Sequence, residues 1–167
     1  GQMVSVKPEV GAKDLTTDEN ESLAAYYIAC KLKNPKTEFT IDDFKNLPVE
    51  SKFTAEELIK KASKSWLISS KFVAERIAKT PSFRNKSFTV CQRSKSDFVK
   101  NISDAANDLL KKAGKDMQLD KWNPADIWMV NSRLLDTDFS KFESIFELNT
   151  WLQKQYIAKT VVGVSLK

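Results

Sequence analysis

Residues 121–131 read Lys-Trp-Asn-Pro-Ala-Asp-Ile-Trp-Met-Val-Asn, or KWNPADIWMVN. Pro124 opens the stretch, a single acid follows at Asp126, and Ile127–Val130 is an unbroken run of large apolar side chains. β-Branched and aromatic residues behind a proline predict a buried strand over 125–131. A carboxylate at the mouth of such a strand is costly to bury unless something satisfies it. Either a turn open to solvent or a metal site would do so.

The chain around it alternates helices with short strands. Thr16-Thr-Asp-Glu19 is a capping box, and it opens a helix that runs to about Leu32. Leu23, Tyr27 and Cys30 form its apolar stripe, with Ala24 and Ile28 beside them, and Asn34-Pro35 stops it. Thr40-IDDF reads as a short helix. Thr54-Ala-Glu-Glu57 is a second capping box, and helical spacing continues through Ser63–Thr80 with Trp66, Phe72, Val73 and Ile77 turned inward. SFTVC at 87–91 predicts a strand. Ser96–Ala113 repeats apolar residues at helical spacing and ends on Gly114. Leu134–Asp138 reads as a turn, Phe142 or Ser144 to Lys159 as a helix, and 160–166 as a final strand. This order predicts an α+β fold, with N-terminal helices packed on a small mixed sheet whose strands lie near 87–91, 125–131 and 160–166. Residues 1–14 read as a loose arm and 15–167 as a single domain.

Composition removes several chemistries. Among 167 residues there is no histidine, only four glycines, and two cysteines, Cys30 and Cys91. Ser-His-Asp and Cys-His mechanisms are excluded. No glycine-rich phosphate loop or dinucleotide fingerprint is present. Two isolated cysteines make no zinc knuckle or disulfide framework, and they are expected to stay reduced in an intracellular, cytoplasmic protein. Any metal is expected to be a hard, oxygen-liganded ion such as Mg²⁺ or Mn²⁺.

The net charge of +5 is unevenly placed. Residues 60–115 carry fourteen Lys or Arg against four acids, a net of +10, which leaves −5 for the rest. Such segregation suits either a phosphate grip or a set of solvated helix faces. The candidate nucleic-acid contacts are Lys60, Lys61, Lys64, Lys71, Arg84, Lys86, Arg93 and Lys95.

Ser165 and Lys167 are two apart on the last strand, so they share a face with Gly163, opposite Val162, Val164 and Leu166. Pro124-Ala-Asp126 together with Ser165-Leu-Lys167 resembles the PD-(D/E)XK nuclease superfamily: an acid near the start of one strand, and acid-x-Lys on its neighbour. The match has one residue inserted in the first element and Ser165 in the place of the second acid. The resemblance covers mainly residues 120–167. It implies a metal-dependent endonuclease acting on DNA, with Asp126, Ser165 and Lys167 at the catalytic centre. It further implies Mg²⁺ or Mn²⁺ held by Asp126 and by an acid of the first helix, Glu21 or, second, Glu19. Family members continue past the lysine, which reads this chain as the N-terminal part of a longer protein. A non-catalytic nucleic-acid-binding or assembly module with a degenerate nuclease-like fold is the alternative. A protein–protein module with solubilising lysines is a third reading.

Overall fold

The computed structural model describes residues 15–114 and 125–166. They form five α-helices and one four-stranded sheet. In chain order these are α1 (Thr17–Lys33), β1 (Val49–Glu50), α2 (Ala55–Lys61), α3 (Lys64–Ala78), β2 (Phe88–Gln92), α4 (Asp97–Lys112), β3 (Ile127–Asn131), α5 (Ile145–Ile157) and β4 (Val161–Val164). No helix among the described residues is long and apolar enough to cross a membrane.

Local chemistry sets the helix limits. Both predicted capping boxes form: the Thr16 and Thr54 side chains accept from the backbone N–H of Glu19 and Glu57, whose carboxylates reach back. Ser63 caps α3, which explains the break after α2. Gly114 follows α4 at φ +72°, the left-handed conformation that glycine adopts without a Cβ penalty.

The sheet order is β1-β2-β3-β4, with β1 parallel to β2 and the other pairs antiparallel. This is the α+β fold with a mixed sheet that the element order predicts. β1, at two residues, is too short to leave a periodic signature and was not anticipated.

Helices cover the sheet on both sides. Phe88, Val90, Ile127, Met129, Val162, Val164 and Leu166 pack with α1, α2 and α3 in one core. Cys91, Trp128, Val130 and Val161 pack with α4, α5 and Phe139 in a second. The alternation along each strand feeds the two cores in turn, so a strand such as Ile127–Val130 is apolar at every position. In the second core Phe139 is ringed edge-on by Phe98 at 5.4 Å and Trp151 at 5.3 Å. Trp128 and Trp151 therefore serve mainly as packing groups; Trp122 lies outside the described residues.

One expectation for α3 is corrected. Trp66, Val73 and Ile77 are buried, but Phe72 is 49% exposed. It sits about 100° round the helix from Val73, on the outer face. There the Arg76 guanidinium lies 5.9 Å from its ring centroid.

Both thiols are free and buried. Burial pushes the Cys30 thiol up to about 11. Cys91 is raised further, by burial and by the Glu50 carboxylate, which accepts its S–H at 3.1 Å.

Helix α5 is held by little. Leu148 is its one fully buried side chain. Leu148→Ala is therefore expected to cost about 2–5 kcal/mol, read as a lower midpoint of urea unfolding.

Candidate functional site

The sheet has one end where β2 stops at Gln92, β3 starts at Ile127 and β4 stops at Val164. Asp126 lies across that end. Its N–H donates to the Val164 carbonyl at 3.0 Å, and its own carbonyl accepts from the Arg93 N–H at 3.1 Å. Its carboxylate Oδ2 accepts from the Leu166 N–H at 3.0 Å. The residue is 6% exposed. Continuing the Ile127–Val164 register places Ser165, also buried, opposite Asp126. The two motif halves read from the sequence are thus neighbours across the strands. Lys167 lies outside the described residues.

The first turns of α1 reach the same end. Gln92 is fully buried, and its amide clamps α1 to the sheet. Its Oε1 accepts from the Ser22 hydroxyl at 2.8 Å and the Lys52 N–H at 3.1 Å, and its Nε2 donates to the Asp18 carbonyl at 3.1 Å. Glu21 lies within the turn bounded by these two contacts. Its carboxyl comes within hydrogen-bonding range of Asp126.

Two acids of α1 have opposite fates. Glu19 is bound by Lys61 Nζ at 2.9 and 2.8 Å and by the Thr16 N–H at 3.0 Å. The bond from Lys61, then that from the Thr16 backbone, hold its carboxyl below the ordinary range. A carboxylate committed to a lysine and a helix cap is a poor metal ligand, which disfavours the second candidate. No lysine among the described residues pairs with Glu21 in this way. Burial, then the Asp126 charge and the hydrogen bond to Asp126, then the Asp18 charge, push it up to about 7, while Arg93 pulls the other way. Two acids forced together in this way share protons or hold a cation.

Among the described residues, no group of three or more His, Cys, Asp or Glu could hold a metal ion. The pair alone still fits Mg²⁺, which is commonly bound by one or two carboxylates, with waters and substrate phosphate filling its shell. The Val164 carbonyl, another conceivable ligand, is taken by the Asp126 N–H. Glu147 is exposed on α5 and accepts from the Glu143 N–H at 2.9 Å. Asp136 and Asp138 follow the far end of β3, where Asp138 caps a short turn through the Ser140 N–H at 3.0 Å.

The eight basic candidates do not gather on one face. Arg93 and Lys95 follow β2 at the Asp126 end, and Lys61 meets Glu19 near the start of α1. Lys60 pairs with Glu56 at 3.2 Å. Lys71 pairs with Glu38 at 3.0 Å beyond the other end of α1, where it lines a cleft with Lys64. Arg84 and Lys86 precede β2 at the opposite end of the sheet, and Lys86 Nζ donates to the Ala158 carbonyl. Gln92 and Lys52, which organise the site, were not picked out from the sequence, because a single Gln at a strand end carries no pattern.

Glu21 makes stability depend on pH. From its ordinary 4.5 up to about 7, the folded chain holds a proton there that the unfolded chain has released. Stability falls as pH rises through that window and levels off above it. Glu21→Gln should remove this slope in a series of thermal melts. At about pH 8 it should gain roughly 1–2 kcal/mol over the parent, a gain kept small because solvent screens the charges at this half-buried site. No family model matches this chain, nor does any curated protein or solved structure, so the carboxylate pair is read from its own geometry.

Proposed function

We propose that this chain is a metal-dependent nuclease domain that hydrolyses phosphodiester bonds of DNA, with a PD-(D/E)XK-like site. The observation that carries the reading is the meeting of Glu21 and Asp126, from different elements, beside Ser165 at one end of the sheet. Glu21 and Asp126 would hold Mg²⁺ or Mn²⁺, which supplies Lewis-acid stabilisation of the phosphate and an activated water. Asp126 is oriented for this by the Leu166 N–H. Arg93, whose charge reaches Glu21, brings positive potential to the same end for a DNA phosphate. Lys167 would offset the charge that develops on the phosphate oxygens.

A second reading is a non-catalytic nucleic-acid-binding or assembly module on the same scaffold. Ser165 favours it, since a hydroxyl stands where the resembled pattern has an acid.

Plasmid nicking with Mg²⁺ or Mn²⁺ tests the first reading. Asp126→Ala should abolish cleavage while DNA affinity stays near that of the parent. It should also erase the rise in melting temperature that Mn²⁺ gives the parent. Lys167→Ala should slow cleavage by about 10²–10³. Undiminished DNA binding with no cutting in either metal supports the second reading instead.

DNA affinity should fall steeply with salt, with a slope that reports the phosphates neutralised. Charge reversal at Arg93 and Lys95 should reduce both affinity and slope. Reversal at Lys71 or Lys86, which lie at other ends of the molecule, should leave both near the parent values.

A further inference from the structure

Helix α5 presents an outward face that the described residues leave exposed. Phe146 is 75% exposed and Ile157 is 73% exposed. Eleven residues separate them, about three turns, so they line up within roughly 20° of each other around the helix. Thr150 and Gln153 lie between them on the same stripe. Single exposed apolar residues are ordinary, but two at the ends of one stripe ask what covers them. The charges answer. Glu147 and Lys154 are both exposed, lie seven residues apart, and so share one flank of the stripe. On that flank a groove of about 410 Å³ opens between α5 and Phe142, floored by Phe146 and Trp151.

We propose that this face is an interface between two copies of the chain, packed with their α5 helices antiparallel about a two-fold axis. In such an isologous contact, residue i of one copy meets residue j of the other, and j meets i. The register that sets Phe146 against Ile157 of the second copy also brings Glu147 within two residues, about 3 Å along the axis, of Lys154 of the second copy. Like flanks meet in an antiparallel pair, so this ion pair forms twice. The same register carries Ile157 of each copy to the mouth of the other's groove. A parallel pairing would set the Glu147–Lys154 flank of one copy on the far side of the contact from that of the other, so neither ion pair would form. The stripe is therefore complementary to itself in one orientation. α5 has thirteen residues and is about 20 Å long. The pair buries less than the standard interface of about 1,600 Å², so the dimer should form in the micromolar range.

Sedimentation velocity across a concentration series up to about 0.5 mM, well above a micromolar Kd, tests this. The parent should pass from monomer to dimer. Phe146→Asp and Ile157→Asp should each leave it monomeric with unchanged circular dichroism, because both side chains are exposed. Lys154→Glu should weaken association roughly tenfold, since two attractive pairs become repulsive. Adding Glu147→Lys should restore it. That change also forfeits the bond from the Glu143 N–H, so melting temperature is followed in parallel. A parent that stays monomeric throughout overturns the proposal, as does a dimer that survives both aspartates. A double swap that associates no better than Lys154→Glu alone overturns the antiparallel register.

Discussion

The sheet is covered on both faces, and that constraint decides where chemistry can happen. Four short strands lie between α1, α2 and α3 on one side and α4 and α5 on the other. Burying a polar group on either face is costly unless it is paired, and the Trp128 indole N–H is an exception, buried with no partner among the described residues. Gln92 is the paired case: its amide bonds to Ser22, Asp18 and Lys52, fixing α1 and the Lys52 segment to the strand end. The edges and ends of the strands are left for reactive groups. Asp126 uses one such end. Its backbone completes the ladder to its neighbours while its carboxylate stays at the rim.

The electrostatics of that rim follow from geometry. A clamp on either side of Glu21 leaves its turn little freedom to rotate away from Asp126. Burial and then repulsion between the two carboxyls are therefore built in, and together they raise the Glu21 carboxyl. Two residues earlier on the same helix, Glu19 is neutralised by Lys61. Similar side chains in similar helical positions differ because one faces a lysine and the other an acid.

Much of this was legible in the sequence. Capping boxes name their own partners, so Thr16 and Thr54 marked the helix starts. Three of the four strands announced themselves as apolar runs. The acid at Asp126 stood out because the residues after it are all apolar, and Glu21 was reached through the resemblance rather than through any local pattern. Other features left no trace. Val49–Glu50 is a strand only because Val90 and Cys91 lie beside it. Phe72 fitted an inward position by type, yet its angle around α3 turns it outward. The basic segment showed where charge lies along the chain but not in space, and folding sends Lys71, Lys86 and Arg93 to different ends of the molecule.

The two thiols lead to a practical end. Cys30 and Cys91 are the only cysteines in the chain, and both are shielded and held in the unreactive protonated form, Cys91 by its bond to Glu50. Thiolate, not thiol, attacks electrophiles. The native chain is thus expected to react slowly with maleimides and iodoacetamides at neutral pH. A single cysteine introduced at an exposed position, such as Lys95 beside the carboxylates, would be the sole point of attachment for a fluorophore or spin label.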